Sequence, residues 1–140
     1  MKATTKEGIL AEIADRLVED GKIRAENRDA ILRALLEREG KMSTGMLYGV
    51  AIPHAKTDLV DKLVTVVGIC PNGVEFSSLD GALTTIFIGT LSPRADANSH
   101  IKFLAEVSRQ LSSRRIREQL LSAKTKEQLI EAICGARDAD

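Results

Sequence analysis

Hydrophobic and polar positions alternate between two periods along this chain. From Thr4 onward, Ile9, Ile13 and Leu17 recur at i, i+4 spacing before Gly21, the pattern of an amphipathic helix. Thr4 and Glu7 stand at capping-box distance at its start. A second helix is predicted from about Asn27 to Glu39, with Ile31, Leu32, Leu35 and Leu36 on its buried side and Gly40 as its stop. The period then changes. Leu63–Cys70 and Thr84–Gly89 are short, β-branched and nearly uncharged, and residues 61–93 carry only Asp61, Lys62, Glu75 and Asp80 as acids or lysines. Both runs read as strands buried on both faces of a central sheet. Pro71-Asn72-Gly73 and Leu79-Asp80-Gly81 read as turns between them.

Helical periodicity returns afterwards. Asn98 or Ser99 is the expected cap of a helix carrying Ile101, Leu104, Val107 (or Ser108) and Leu111. A short helix is expected over Arg114–Ser122, and a last one from Thr125 to about Gly135, followed by a frayed tail. Helices on either side of a short apolar sheet imply one layered α/β domain across residues 1–140.

Composition narrows the function. The 20 basic and 20 acidic residues cancel, which argues against nucleic acid or an anionic membrane as partner. No apolar run is long enough to span a bilayer, and no secretory signal opens the chain, so a cytoplasmic protein is expected. Cys70 and Cys134 then read as reduced core thiols rather than a disulfide. There is no HExxH, CxxC or close histidine pair to suggest a metal, and no P-loop or GxGxxG to suggest a nucleotide. Ser77 and Ser78 lack a nucleophile elbow. Arg109, Arg114, Arg115 and Arg117 form a basic stretch that reads as a solvated face or a site for an acidic partner.

Three residues carry candidate chemistry. His54 follows Pro53 at the end of the short apolar run Val50-Ala51-Ile52. Proline tends to end a strand, and a histidine just past it is either a turn residue with a satisfied hydrogen bond or a neutral nucleophile. Ser43, Thr44, Gly45 and Gly49 precede it, and small residues with free amides can form an anion nest. His100 stands in the first turn of a predicted helix, where the dipole favours an anion over an imidazolium, or is simply an exposed helix-start residue. Arg38 ends the second predicted helix, where it complements the dipole or grips phosphate oxygens.

Gly49-Val50-Ala51-Ile52-Pro53-His54-Ala55 resembles the active-site signature of enzyme IIA domains of the bacterial phosphotransferase system, fructose/mannitol type, a class that includes nitrogen-regulatory IIA proteins. Further landmarks follow in the same order: Arg38-Glu39, Ser43-Thr44-Gly45, Val74-Glu75-Phe76, Leu79-Asp80-Gly81, Ile86-Phe87-Ile88, Pro93, and His100 ahead of Leu104–Arg109. Together they cover about residues 5–134. The resemblance implies a three-layer domain with a central mixed sheet between helices. It implies His54 as phosphoryl acceptor, His100 as its neighbour and Arg38 as the residue that positions the phosphate. Ser43, Thr44, Gly45 and Gly49 would form the rim, and Tyr48, Val50 and Ile52 the partner surface. The implied partners are the phosphocarrier HPr or a relative as donor and an enzyme IIB cysteine as acceptor, with no cofactor or metal. The alternative is a regulatory module that binds partners according to its phosphorylation state.

Two departures stand out. The family's Thr-Gly-Ile-Gly-x-Gly run reads Thr44-Gly45-Met46-Leu47-Tyr48-Gly49 here, which alters the rim. The chain also opens at the first helix, so the family's N-terminal strand is expected to be missing. An exposed sheet edge makes a homodimer an expectation too.

Overall fold

A computed structural model describes residues 2–45, 48–77 and 80–122. The first helix, α1 (Lys6–Glu19), is capped by Thr5, whose hydroxyl accepts from the Gly8 amide at 3.1 Å. The cap is therefore one residue later than the Thr4–Glu7 spacing suggested. A short 3₁₀ turn, Ala25–Asn27, leads into α2 (Arg28–Lys41). Gly40 lies inside α2 rather than ending it, and the chain leaves the helix at the extended residue Met42. The buried stripe of α2 is Ile31, Leu35 and Glu39, while Leu32 is half-buried and Leu36 exposed. A carboxylate thus occupies the third position of an otherwise apolar face.

The sheet is built around one strand. Short strands β1 (Val50–Ala51) and β2 (His54–Thr57) precede the longer β3 (Val64–Val74) and β4 (Thr84–Pro93). Both β1 and β2 run parallel to β4 in one continuous register, Val50 opposite Ile86 and His54 opposite Thr90. They are one strand interrupted at Ile52-Pro53. The ladder survives the break because the Pro53 carbonyl accepts from the Thr90 amide at 2.9 Å. On the other edge of β4, β3 is antiparallel, with Thr65 opposite Thr90 and Gly68 opposite Phe87. Among the described residues β3 is the edge strand on that side. Pro71-Asn72-Gly73 is not a turn. It lies within β3 as an irregularity where the pairing jumps from Ile69↔Ile86 to Val74↔Thr84. Proline cannot donate to the ladder, and Gly73 takes a positive φ of 79°, so the strand bulges there instead of reversing.

Two helices follow: α3 (Ala97–Leu111) and α4 (Arg114–Ser122). Asp96, not Asn98 or Ser99, caps α3, accepting from the Ser99 amide at 3.1 Å. The helix expected from Thr125, and Cys134 with it, lies outside the described residues. Side-chain alternation sorts the core into two layers. Ala51, Ala55, Val66, Phe87 and Leu91 face α1 and α2. Val50, Ile52, Ile86 and Ile88 face Val107 and Leu111 of α3 and Ile116 and Leu120 of α4. Central β4 is buried along almost its whole length, as a strand covered on both faces must be. The architecture is a three-layer α/β sandwich with a mixed sheet. Cys70 is a buried free thiol on the α1 side.

Candidate functional site

His54 opens β2, so the strand resumes at the histidine rather than ending before it. Its orientation follows from alternation: Ala55 and Thr57 turn toward one helical layer, and His54 continues the Val50–Ile52 row on the other. The ring is held locally. His54 Nδ1 lies 2.7 Å from the carbonyl oxygen of Ile52. A carbonyl can only accept, so Nδ1 carries the proton and, in the neutral ring, Nε2 keeps the lone pair.

The same face of β4 continues from Ile86 and Ile88 to Thr90 and Ser92. Thr90, opposite His54, is fully buried and shares a 3.1 Å hydroxyl contact with Thr65, whose hydroxyl also lies 2.9 Å from the Gly89 carbonyl. Ser92 meets the second histidine: its Oγ lies 2.7 Å from His100 Nδ1. His100 is not an exposed helix-start residue but is 4% exposed. The rings of His54 and His100 lie 5.0 Å apart between centroids, tilted by 55°. Two histidines far apart in sequence therefore share one site.

Arg38 closes the arrangement from α2. Its guanidinium donates to the Met42 carbonyl at 2.7 Å, and its charge reaches both imidazoles. Burial holds His54 below the ordinary histidine range. The cations Arg38 and Lys56 push the same way, against the Ile52 hydrogen bond and the Glu39 carboxylate. His100 is lowered as well, by burial first and then by His54, Lys56 and Arg38. The site thus combines two neutral imidazoles with fixed positive charge, a field suited to an anion.

The loop after α2 does other work than expected. The Thr44 amide and hydroxyl both donate to the buried Glu39 carboxylate, the hydroxyl at 2.6 Å, and Lys6 pairs with the same carboxylate at 3.0 Å. The Ser43 hydroxyl donates to the Phe76 carbonyl at 2.7 Å and accepts from the Gly45 amide at 3.1 Å. Ser43, Thr44 and Gly45 therefore turn their donors inward, and the free anion nest inferred from sequence is not formed by them. Their effect is positional, since the Thr44 carbonyl accepts from the Ile52 amide at 3.1 Å. Gly49 has φ 73°, and a Cβ there would come within 3.3 Å of the Leu83 carbonyl, so it is a close-approach residue at the start of β4.

The expected partner surface also changes. Val50 and Ile52 are core residues beneath α3 and α4 and cannot line a docking face. Tyr48 is 55% exposed, with φ 63°; its amide donates to Asp80 and the Arg117 guanidinium sits 4.4 Å from its ring centroid. Met46 and Leu47, the other altered residues, lie outside the described residues. In the basic stretch, Arg109 pairs with Glu106 and Arg114 with Glu118. Sequence reasoning missed Ser92, Thr90, Lys56 and Glu39. The available signal for the first two was two hydroxyls at same-face positions of a strand otherwise apolar there.

Among the described residues, no group of three or more histidine, cysteine or acidic side chains could hold a metal. No helix there is long and apolar enough to cross a membrane.

A three-layer α/β fold of this kind is represented among solved structures. The IIA mannitol structure from Escherichia coli superposes with TM-score 0.77 at 26% identity, covering 95% of this chain and 92% of that one. Nitrogen regulatory protein IIA-Ntr from Neisseria meningitidis shares the fold, with TM-score 0.86 at 24% identity, over 95% of this chain and 89% of that one. By sequence, the chain is 38% identical over 123 residues to the PTS system fructose-specific EIIA component of Haloferax volcanii, covering 88% of this chain and 79% of that protein. Residues 1–135 match the family described as phosphoenolpyruvate-dependent sugar phosphotransferase system, EIIA 2, and the chain belongs to that family.

Proposed function

We propose that this protein is a phosphohistidine carrier of the sugar phosphotransferase system, with His54 Nε2 as the acceptor atom. The observation that carries the reading is the bond from His54 Nδ1–H to the Ile52 carbonyl, which leaves one nucleophilic nitrogen beside His100. The lone pair of Nε2 forms the new N–P bond as the P–N bond of a phosphorylated HPr-like donor breaks. The bonding electron pair returns to the donor imidazole, and the proton of His54 stays on Nδ1, hydrogen-bonded to the Ile52 carbonyl. Little covalent help is needed for such a transfer; placement and charge stabilisation dominate. Arg38 and Lys56 supply positive potential toward the phosphoryl oxygens, and His100 supplies a ring nitrogen beside them.

The phosphoryl group then passes to a cysteine of an enzyme IIB partner, in an exchange between cytoplasmic proteins that calls for no organic cofactor. One solved relative, at 25% identity and TM-score 0.78, is described as a complex of enzyme IIA mannitol with phosphorylated enzyme IIB mannitol, which supports this direction of transfer. A regulatory reading draws support from a nitrogen regulatory protein of Bradyrhizobium diazoefficiens, 29% identical over 124 residues. The higher identity to the fructose-specific component favours the sugar pathway.

The test is incubation with phosphorylated HPr and mapping of the label. Wild type should carry an acid-labile phosphoramidate on His54, and His54→Ala should carry none. Arg38→Ala should keep the site of labelling but slow it roughly 10²-fold. An unlabelled wild type, or equal labelling of His54→Ala, defeats the assignment.

A further inference from the structure

Ser92 is fully buried and lies opposite Lys56 in the β2–β4 ladder, on the face that carries both histidines. A buried hydroxyl needs somewhere to place its proton. Among the described residues the acceptor within hydrogen-bond reach of Ser92 Oγ is His100 Nδ1, at 2.7 Å. If Nδ1 were itself the donor, the Ser92 proton would be left without an acceptor inside the core. The satisfied arrangement has Ser92 donating, which makes Nδ1 the lone-pair nitrogen of His100 and puts the ring proton on Nε2.

We propose that Ser92 is a positioning residue that fixes His100 as the Nε2–H tautomer, so that His100 donates a hydrogen bond to a phosphoryl group on His54. The two rings then have opposite tautomers for one purpose. The Ile52 carbonyl holds the proton of His54 on Nδ1 and frees Nε2 as nucleophile; Ser92 holds the proton of His100 on Nε2 and makes that nitrogen a donor. With the other assignment His100 would turn a lone pair toward the phosphoryl oxygens and repel them. Should His100 take up a second proton beside the phosphoryl group, the serine hydroxyl can rotate and accept from Nδ1–H without moving the ring. A serine serves both states, which an alanine or valine at this strand position cannot.

The inference rests on the phosphocarrier reading for its consequence but not for its first test. The ring ¹⁵N shifts of His100 in the unphosphorylated protein report the tautomer directly. Wild type and Ser92→Thr should show a pyridine-like Nδ1 and a pyrrole-like Nε2, and Ser92→Ala should show averaged shifts of a mixed population. In phosphotransfer from HPr, Ser92→Ala should still be labelled on His54, at a rate lowered about tenfold. Ser92→Thr should restore that rate to within about twofold of wild type, whereas a cavity effect alone would not be rescued by a change of size. Ring shifts unchanged in Ser92→Ala, or wild-type shifts already of the Nδ1–H form, overturn the proposal. A wild type that is never labelled, with the Nε2–H tautomer present and Ser92-dependent, removes the phosphocarrier reading and leaves the positioning role standing.

Discussion

At the scale of single residues the site runs on two imidazoles that are easier to keep neutral than to charge. Protonated His54 has no lone pair, so its lowered pKa extends the nucleophilic form to more acidic solution. Arg38 contributes to that lowering, and Arg38→Gln should therefore raise the His54 midpoint. A titration of the ring protons by NMR measures it; an unchanged midpoint would mean that Arg38 takes no part in the lowering and that burial and the remaining neighbours set the value. The same shifts affect stability. Both folded-state values lie below the ordinary histidine value of about 6.5, so the unfolded chain binds the proton more readily. Stability is then full above about pH 6.5 and declines as pH falls through the lowered folded values. The thermal midpoint of wild type should drop between pH 7.5 and pH 5, and the drop should shrink in the double variant His54→Gln/His100→Gln. A wild-type midpoint that rises on acidification would reverse the sign and contradict the burial of both rings.

The elements around the site are tied by a chain of contacts that begins on α2. Glu39 occupies the third turn of the apolar stripe, after Ile31 and Leu35. Burial pushes its carboxyl up, but hydrogen bonds from Thr44 and Lys6 outweigh that and hold it below the usual carboxylate range. Thr44 in turn accepts from the Ile52 amide, and the Ile52 carbonyl accepts from His54. A helix-borne acid thus fixes the peptide that fixes the His54 ring. Glu39→Ala should cost about 2–4 kcal/mol, since it strands buried donors as well as breaking an ion pair. Denaturant unfolding measures the cost, and a value under about 0.5 kcal/mol, typical of a surface change, would show the strap to be dispensable.

Much of this level was legible in the sequence because periodicity reports burial. The stripe of α1, the apolar run of β4 and the span of α4 were all present in spacing alone. What spacing lacked was the identity of the neighbour. Val50 and Ile52 were expected on the partner surface beside His54, yet alternation on a strand covered on both faces puts them in the core. Pro71-Asn72-Gly73 carries turn chemistry, but pairing with Thr84 on its far side keeps it within β3. Ser92 and His100 are eight residues apart on different elements, and their contact exists only after α3 folds back over β4.

For the whole molecule, the placement of the site depends on how closely the layers approach the sheet. Ile13 of α1 presses on β4 at Gly89, where a Cβ would lie 2.5 Å from Ile13 Cγ2. Gly89 is the immediate neighbour of Thr90, the residue opposite His54, so the helix is seated where the His54 ladder runs. Ile13 is fully buried and β-branched, with little freedom to rotate away. Gly89→Ala should therefore overpack the interface and cost about 1–3 kcal/mol. Ile13→Ala alone should cost about 2–5 kcal/mol through the cavity it leaves. The two changes address the same space, so the double variant should be more stable than the sum of the single costs predicts, by about 1 kcal/mol or more. Denaturant midpoints of the four proteins measure that coupling. Strict additivity would mean that α1 does not rest on the glycine, and that the spacing of this layer is set elsewhere along the helix.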